Sequence, residues 1–133
     1  MIYLIDTDWV IDFLVGRADA GRLFSQLLPA GAGISIITYM ETVEGIRGSR
    51  DPSTSWLAFR GLLQAMDVLG MTEAIAERAA DIRLNLRQRK RQVHERSLDI
   101  IVAATAFEHG LTLVSRNTRH YPDIPGLLIF PQT

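Results

Sequence analysis

The sequence predicts an α/β fold, a central parallel sheet of four to five strands with helices on both faces. Three observations point there. Ile2–Ile5, Ile34–Ile37 and Leu111–Ser115 are short apolar runs rich in branched side chains, as strands buried on both faces are. Between them lie longer stretches with the apolar spacing of helices. Strand and helix alternate along the chain, the order expected of a parallel sheet covered on both sides. No repeat, low-complexity tract or linker interrupts the pattern, so residues 1–133 read as one domain.

Ile2–Ile5 forms the first strand and stops at Asp6. From Asp8 the period becomes helical, with Trp9 and Phe13 on one side and Val10, Ile11 and Leu14 on another. Gly16–Gly21 reads as a loop and Arg22–Leu28 as a short helix ended by Pro29. Gly31-Ala-Gly33 releases the chain into the second strand, Ile34–Ile37. Thr38 and Glu41 have capping-box spacing, which starts a helix running to about Gly48. Asp51-Pro52 marks another helix start, with Trp56, Leu57, Phe59, Leu62 and Leu63 on its buried side. Asp67–Gly70 is a short third strand. Thr72 caps the longest helix, Glu73 to about Arg91, whose apolar stripe is Ile75, Ala79, Ile82 and Leu86. After the polar loop Gln92–Arg96, Ser97 opens a helix over Leu98–His109, ended by Gly110 as a left-handed cap. Leu111–Ser115 is the fourth strand, Arg116–Asp123 a polar loop, and Leu127–Phe130 a last strand.

Composition narrows the function classes. At 133 residues, 47% apolar and 22% charged, the chain can bury a full core and is no disordered segment. The absence of cysteine excludes disulfides and thiolate metal sites and fits a reducing compartment. No apolar run is long enough to span a bilayer, and Asp6, Asp8 and Asp12 break the first one up, so it does not read as a signal peptide. A cytoplasmic protein is expected. The net charge of −1 argues against a uniformly basic nucleic-acid binder. Charge is unevenly placed, however: Arg78–Arg96 holds seven basic residues against Asp81 and Glu95. Lys90 is the only lysine, and arginine suits phosphate because its planar fork donates two parallel hydrogen bonds. Taken alone, such a run is a solvated helix face.

The strand ends carry the chemistry. Asp6 and Asp8 follow the first strand, Glu41 the second, and Ser115 and Asn117 the fourth, while Asp99 lies in the first turn of the preceding helix. All can converge on the carboxyl edge of a parallel sheet, where such folds bind ligands. Carboxylates with a hydroxyl and an amide, and no thiolate, make a hard-oxygen site suited to Mg2+ or Mn2+. Asp6 beside Ile5 is costly unless paired or metal-bound. Asp8 also suits a helix's first turn on dipole grounds. Glu41 has two readings, cap partner of Thr38 or ligand. Asp99 shares the face of Val102, Ala103 and Ala106, where an acid needs a reason. His94, His109 and His120 show no metal-ligand spacing.

The ordered segments LIDTD, ITYMETVEG and LDIIVAATAFEHGLTLVSRNTRHY resemble the PIN-domain ribonucleases, specifically the VapC-type toxins of bacterial toxin–antitoxin pairs. The resemblance covers nearly the whole chain. It implies a Mg2+- or Mn2+-dependent endoribonuclease with Asp6, Glu41 and Asp99 as catalytic acids, Asp6 and Asp99 holding the metal. Asp8, Ser115 and Asn117 would support them. Arg87, Arg89, Lys90, Arg91, Arg96, Arg116 and Arg119 are the candidates for holding RNA. The family places a fourth acid, followed by Phe, where this chain has His120 and Tyr121. A VapB-like antitoxin and a second copy of the chain are the implied partners.

Two other readings stand beside it. The opening run also fits a haloacid-dehalogenase-like phosphatase, with Asp6 as nucleophile and Asp8 as general acid, although Lys90 lies among arginines rather than near a phosphate site. The third is a degenerate PIN domain that binds RNA without cutting it.

Overall fold

The computed structural model describes residues 1–117 and 119–131. In chain order these form β1 (Tyr3–Ile5), α1 (Thr7–Leu14), α2 (Ala18–Leu27), β2 (Ala32–Ser35), α3 (Ile36–Arg47), α4 (Pro52–Leu63), β3 (Asp67–Leu69), α5 (Glu73–Gln88), α6 (Ser97–Glu108) and β4 (Thr112–Val114). The four strands are parallel and ordered β3-β2-β1-β4. The chain thus builds outward from β1 through β2 to β3, then returns to place β4 on the other side of β1. That reversal puts a topological switch point between the carboxyl ends of β1 and β4, where open α/β sheets bind ligands.

Each short strand is covered on both faces, and alternation along it divides the core. Leu4 and Leu113 point toward α5 and α6, packing with Ile75, Ile82, Leu86, Ile100 and Ala103. Ile5, Ile34 and Val114 point the other way, toward Val10, Phe24, Leu27, Ile46 and Phe59. Phe13 stacks on Phe24 with ring centroids 4.5 Å apart. α6 is buried nearly all round from Ile100 to Ala106, which explains its run of alanines: small side chains let it lie close to the sheet. Gly33 serves a similar end, because a Cβ there would stand 2.9 Å from the Asp67 carbonyl of the neighbouring strand.

Several boundaries shift from the expected ones, each for a local reason. The strand at Ile34–Ile37 begins and ends two residues earlier, and Ser35 rather than Thr38 caps the following helix, its hydroxyl accepting the Thr38 N–H at 3.1 Å. The Thr38–Glu41 capping box therefore does not form, and Glu41 lies in the second turn of α3. Residues expected in a loop before Arg22 belong to α2, where Asp19 sits in the first turn. Leu57 faces solvent, 71% exposed, although its neighbours Phe59 and Leu62 are buried. α5 stops at Gln88 rather than Arg91, because Lys90 takes a left-handed φ of 59° and lets the Arg91 N–H reach the Leu86 carbonyl at 2.8 Å. Gly110, at φ 64°, closes α6 in the same way. The last expected strand contributes a single bridge, Ile129 beside Leu113, so the sheet among the described residues has four strands. No helix among them is long and apolar enough to cross a membrane.

Candidate metal centre

Asp6 is the residue on which the site is built. It ends β1, caps α1 by accepting the Thr7 N–H on Oδ1 at 2.9 Å, and is only 6% exposed. Its Oδ2 accepts two hydroxyls, Ser115 at 2.7 Å from the end of β4 and Tyr121 at 3.0 Å from the turn that follows. The carboxylate therefore spans the switch point between β1 and β4. Burial pushes its pKa up, opposed by these hydrogen bonds and aided by the charge of Asp99.

Asp99 comes from the first turn of α6. Its Oδ2 accepts the Asn117 amide at 3.1 Å and faces His120 Nδ1 at 2.6 Å. The loop carrying these two side chains is knitted together: Asn117 Oδ1 accepts the backbone N–H groups of Arg119 and His120, and the Asn117 N–H donates to Ser115 Oγ. Asp8 accepts the Trp9 and Arg116 backbone N–H groups, at 2.8 and 3.2 Å. Its pKa is pushed up to about 6, first by burial and then by the charge of Asp6. Glu41 reaches across from α3 and accepts the Thr7 hydroxyl on Oε1 at 2.6 Å. Burial raises its pKa, and the charges of Asp6, Asp99 and Glu44 add to the shift. Glu44 itself is exposed.

Asp6, Glu41 and Asp99 thus feel one another at one sheet edge and Asp8 feels Asp6, all held mainly by hydroxyl, amide and backbone N–H donors. Tyr121 was not among the expected residues, yet its hydroxyl faces both Asp6 and Asp99, and burial first, then these two charges, drive its pKa far above the ordinary phenol value. Thr7 was likewise missed. The donor set is all hard oxygen apart from one imidazole, and such a set fits a divalent cation of the Mg2+ or Mn2+ type. Among the described residues no three acidic or imidazole side chains stand together closely enough to hold a metal ion by themselves. The fit is that of an open site, in which one or two carboxylates hold the ion and water or phosphate oxygens complete it.

The basic residues divide. Arg87, Arg89, Lys90, Arg91 and Arg119 are exposed, although Arg89 already donates to Asn85 Oδ1 at 3.0 Å and to the Asp123 carbonyl. Arg96 is not a free contact for RNA: it is 5% exposed, forks onto Asp123 at 2.6 and 2.9 Å, and also donates to the His120 carbonyl. Arg116 is also committed, to Asp12 and Asp19, each at 2.8 Å, with its guanidinium 3.6 Å over the Trp9 ring. Both were expected to face RNA because neighbouring charge reads as a solvated surface. In the fold they pin loops around the site instead.

The raised carboxyls give the metal-free protein a definite pH response. A carboxyl whose folded pKa lies above its unfolded value favours folding in acid, and that contribution is lost as pH rises through the folded value. For Asp8 the window runs from about 4 to about 6, and Asp6 and Glu41 act in the same sense. Asp19, Asp51 and Asp123 are lowered and act oppositely, their contribution being lost as pH falls through their folded values. The melting temperature of metal-free protein should therefore be higher at pH 5 than at pH 7. Added Mg2+ should raise it more at pH 7, where the acids are ionised. A metal-free melting temperature that climbs from pH 5 to pH 7 contradicts this account.

Comparison with known proteins agrees with the fold. Residues 3–126 match the PIN domain family. The tRNA(fMet)-specific endonuclease VapC of Shigella flexneri is 28% identical over 125 residues, covering 94% of this chain and 93% of that protein. Among solved structures, DNA-bound VapBC from Salmonella typhimurium superposes with a TM-score of 0.87 at 26% identity, over 98% of this chain and 97% of the other. The VapBC2 complex of Rickettsia felis on a promoter DNA fragment has a TM-score of 0.88 over the full length of both chains, at 18% identity, and so speaks for the fold alone. The haloacid-dehalogenase reading falls with this match, and Lys90, the lysine it needs, is exposed beyond the end of α5. With nearly its whole length matched, the chain belongs to the PIN-domain family.

Proposed function

We propose that the protein is a Mg2+- or Mn2+-dependent endoribonuclease, the toxin of a toxin–antitoxin pair, acting in the cytoplasm and restrained by a VapB-like antitoxin. The observation that carries this reading is the meeting of Asp6, Asp8, Glu41 and Asp99 at the switch point, on the edge where the fold binds ligands. Its relatives are named endonucleases and its solved neighbours VapBC complexes, which supports both the activity and the partner. The implied second copy of the chain belongs to the same proposal.

In this reading Asp6 and Asp99 hold the ion, with Asp8 as a nearby negative charge. A bound divalent ion supplies Lewis acidity toward water and the scissile phosphate. Glu41 is the general base. Thr7 fixes Oε1, and a pKa raised by burial brings the carboxylate nearer to neutral, where proton acceptance is most effective. Ser115 and Tyr121 hold Asp6 in place, and Asn117 holds Asp99. Attack by water leaves a 5′-phosphate and a free 3′-hydroxyl. The exposed Arg87, Arg89, Lys90, Arg91 and Arg119 provide the backbone contacts, so binding should weaken steeply with salt.

Purified antitoxin-free protein incubated with total RNA, with and without EDTA, tests this directly. Discrete cleavage that EDTA abolishes is expected, with transfer RNA the first class to examine because the Shigella relative is named for it. Metal-dependent RNA binding without any cleavage would favour the degenerate reading, which the imidazole of His120 among the acids keeps in play.

A further inference from the structure

The imidazole of His120 stands inside an acid cluster, and its partner is specific. His120 Nδ1 lies 2.6 Å from Asp99 Oδ2, and the Asn117 amide donates to that same oxygen at 3.1 Å. An ionised carboxylate can only accept, which assigns the hydrogen of the 2.6 Å contact to Nδ1, although the Asn117 amide nitrogen also lies 3.1 Å from that ring nitrogen. Asp99 Oδ1 takes no part in either bond. At its other end His120 is fastened through the backbone, its N–H donating to Asn117 Oδ1 at 3.2 Å and its carbonyl accepting from buried Arg96. A carboxylate gripped on one oxygen by a side chain that is itself held at the backbone has a fixed orientation.

We propose that His120 is a positioning residue for the ion. With Asn117 it holds Asp99 Oδ2, turns Oδ1 toward the space shared with Asp6, and touches the ion with neither ring nitrogen. This rests on the metal-centre reading above. The role is that of an outer partner to a ligating carboxylate, whose removal commonly costs about 10–100-fold in metal affinity. The proposal separates two things the contact alone leaves merged, a nitrogen that orients a ligand and a nitrogen that is one.

Mn2+ is the probe, because its electron paramagnetic resonance signal reports both affinity and directly bound nitrogen. Wild type, His120→Ala, His120→Asn and Asp6→Asn should be titrated with Mn2+ in the absence of RNA. His120→Ala is expected to weaken binding by about 10–100-fold. His120→Asn, which keeps an N–H donor, should recover a large part of the loss. Pulsed spectra of the wild type should show no nitrogen bound directly to Mn2+, and the metal-free melting temperatures should bracket the wild type closely. Tighter binding by His120→Ala would overturn the proposal, making the imidazole a competitor for Asp99. Directly bound nitrogen would overturn it as well. Wild type that binds Mn2+ no better than Asp6→Asn would instead remove the metal-centre reading itself, an outcome distinct from an unchanged His120→Ala.

Discussion

Asp6→Asn is expected to abolish metal-dependent RNA cleavage while leaving the metal-free fold at least as stable as the wild type. The two effects have one origin. Asp6 is a carboxylate at 6% exposure whose pKa burial drives upward, so its ionised form is costly in the absence of a cation. A neutral amide of the same shape escapes that cost. The hydroxyls of Ser115 and Tyr121, which donate to Asp6, can turn to accept from the new amide nitrogen. Catalysis has no such escape, because the lost charge is the one that attracts the ion. The rate should fall by more than the ~10–100-fold that outer partners of a metal site command. Cleavage of a defined RNA at saturating Mg2+, beside a thermal melt of metal-free protein, reads both. A variant that cuts normally sinks the site assignment, and one that melts well below wild type sinks the account of Asp6 as a strained charge.

The second large effect is expected at the Arg96–Asp123 pair, where the two halves are not equivalent. Asp123→Ala leaves the Arg96 guanidinium buried with the His120 carbonyl as its remaining partner, and should cost about 3 kcal/mol or more of stability. Arg96→Met leaves Asp123, whose side chain is 20% exposed, able to turn to water. That change should cost less, about 1.5–3 kcal/mol, the ordinary worth of a hydrogen bond to a charged group. Urea denaturation of both variants orders them. If Arg96→Met proves the more damaging, the pair is held by packing of the arginine stem rather than by its charge. Because this arginine also grips the His120 carbonyl, both variants should slacken the turn that presents Tyr121 to Asp6.

What could be read from the sequence, and what could not, follows from range. Asp99 was legible because an acid among Val102, Ala103 and Ala106 breaks a local pattern, and the helix around it formed as the spacing predicts. Asp51 and Thr72 were legible as caps for the same reason: each hydroxyl or carboxylate accepts an N–H three residues on. The start of α3 was misplaced because Ser35 and Thr38 offer equivalent hydroxyls, and only the pairing of Ser35 with Leu69 in the sheet decides between them. That shift frees Glu41 for Thr7 on another helix, a contact across 34 residues that no local spacing encodes. Tyr121 and Arg96 were hidden by their surroundings. Each lies in a polar stretch that reads as solvated, and each is buried because a distant carboxylate, Asp6 or Asp123, waits for it.

The strand order has a bearing on when the protein becomes dangerous to its own cell. Asp6 emerges from the ribosome early, yet the hydroxyls that hold it come from Ser115 and Tyr121, 109 and 115 residues later. β4, the last strand in the chain, lies beside β1 on the side away from β2 and β3. Loop closure over such a span is among the slower steps a small sheet can contain. A nascent chain therefore carries its acids without an assembled centre until residues 112–121 are free to fold back. The interval between synthesis of the first acid and assembly of the centre is built into the topology.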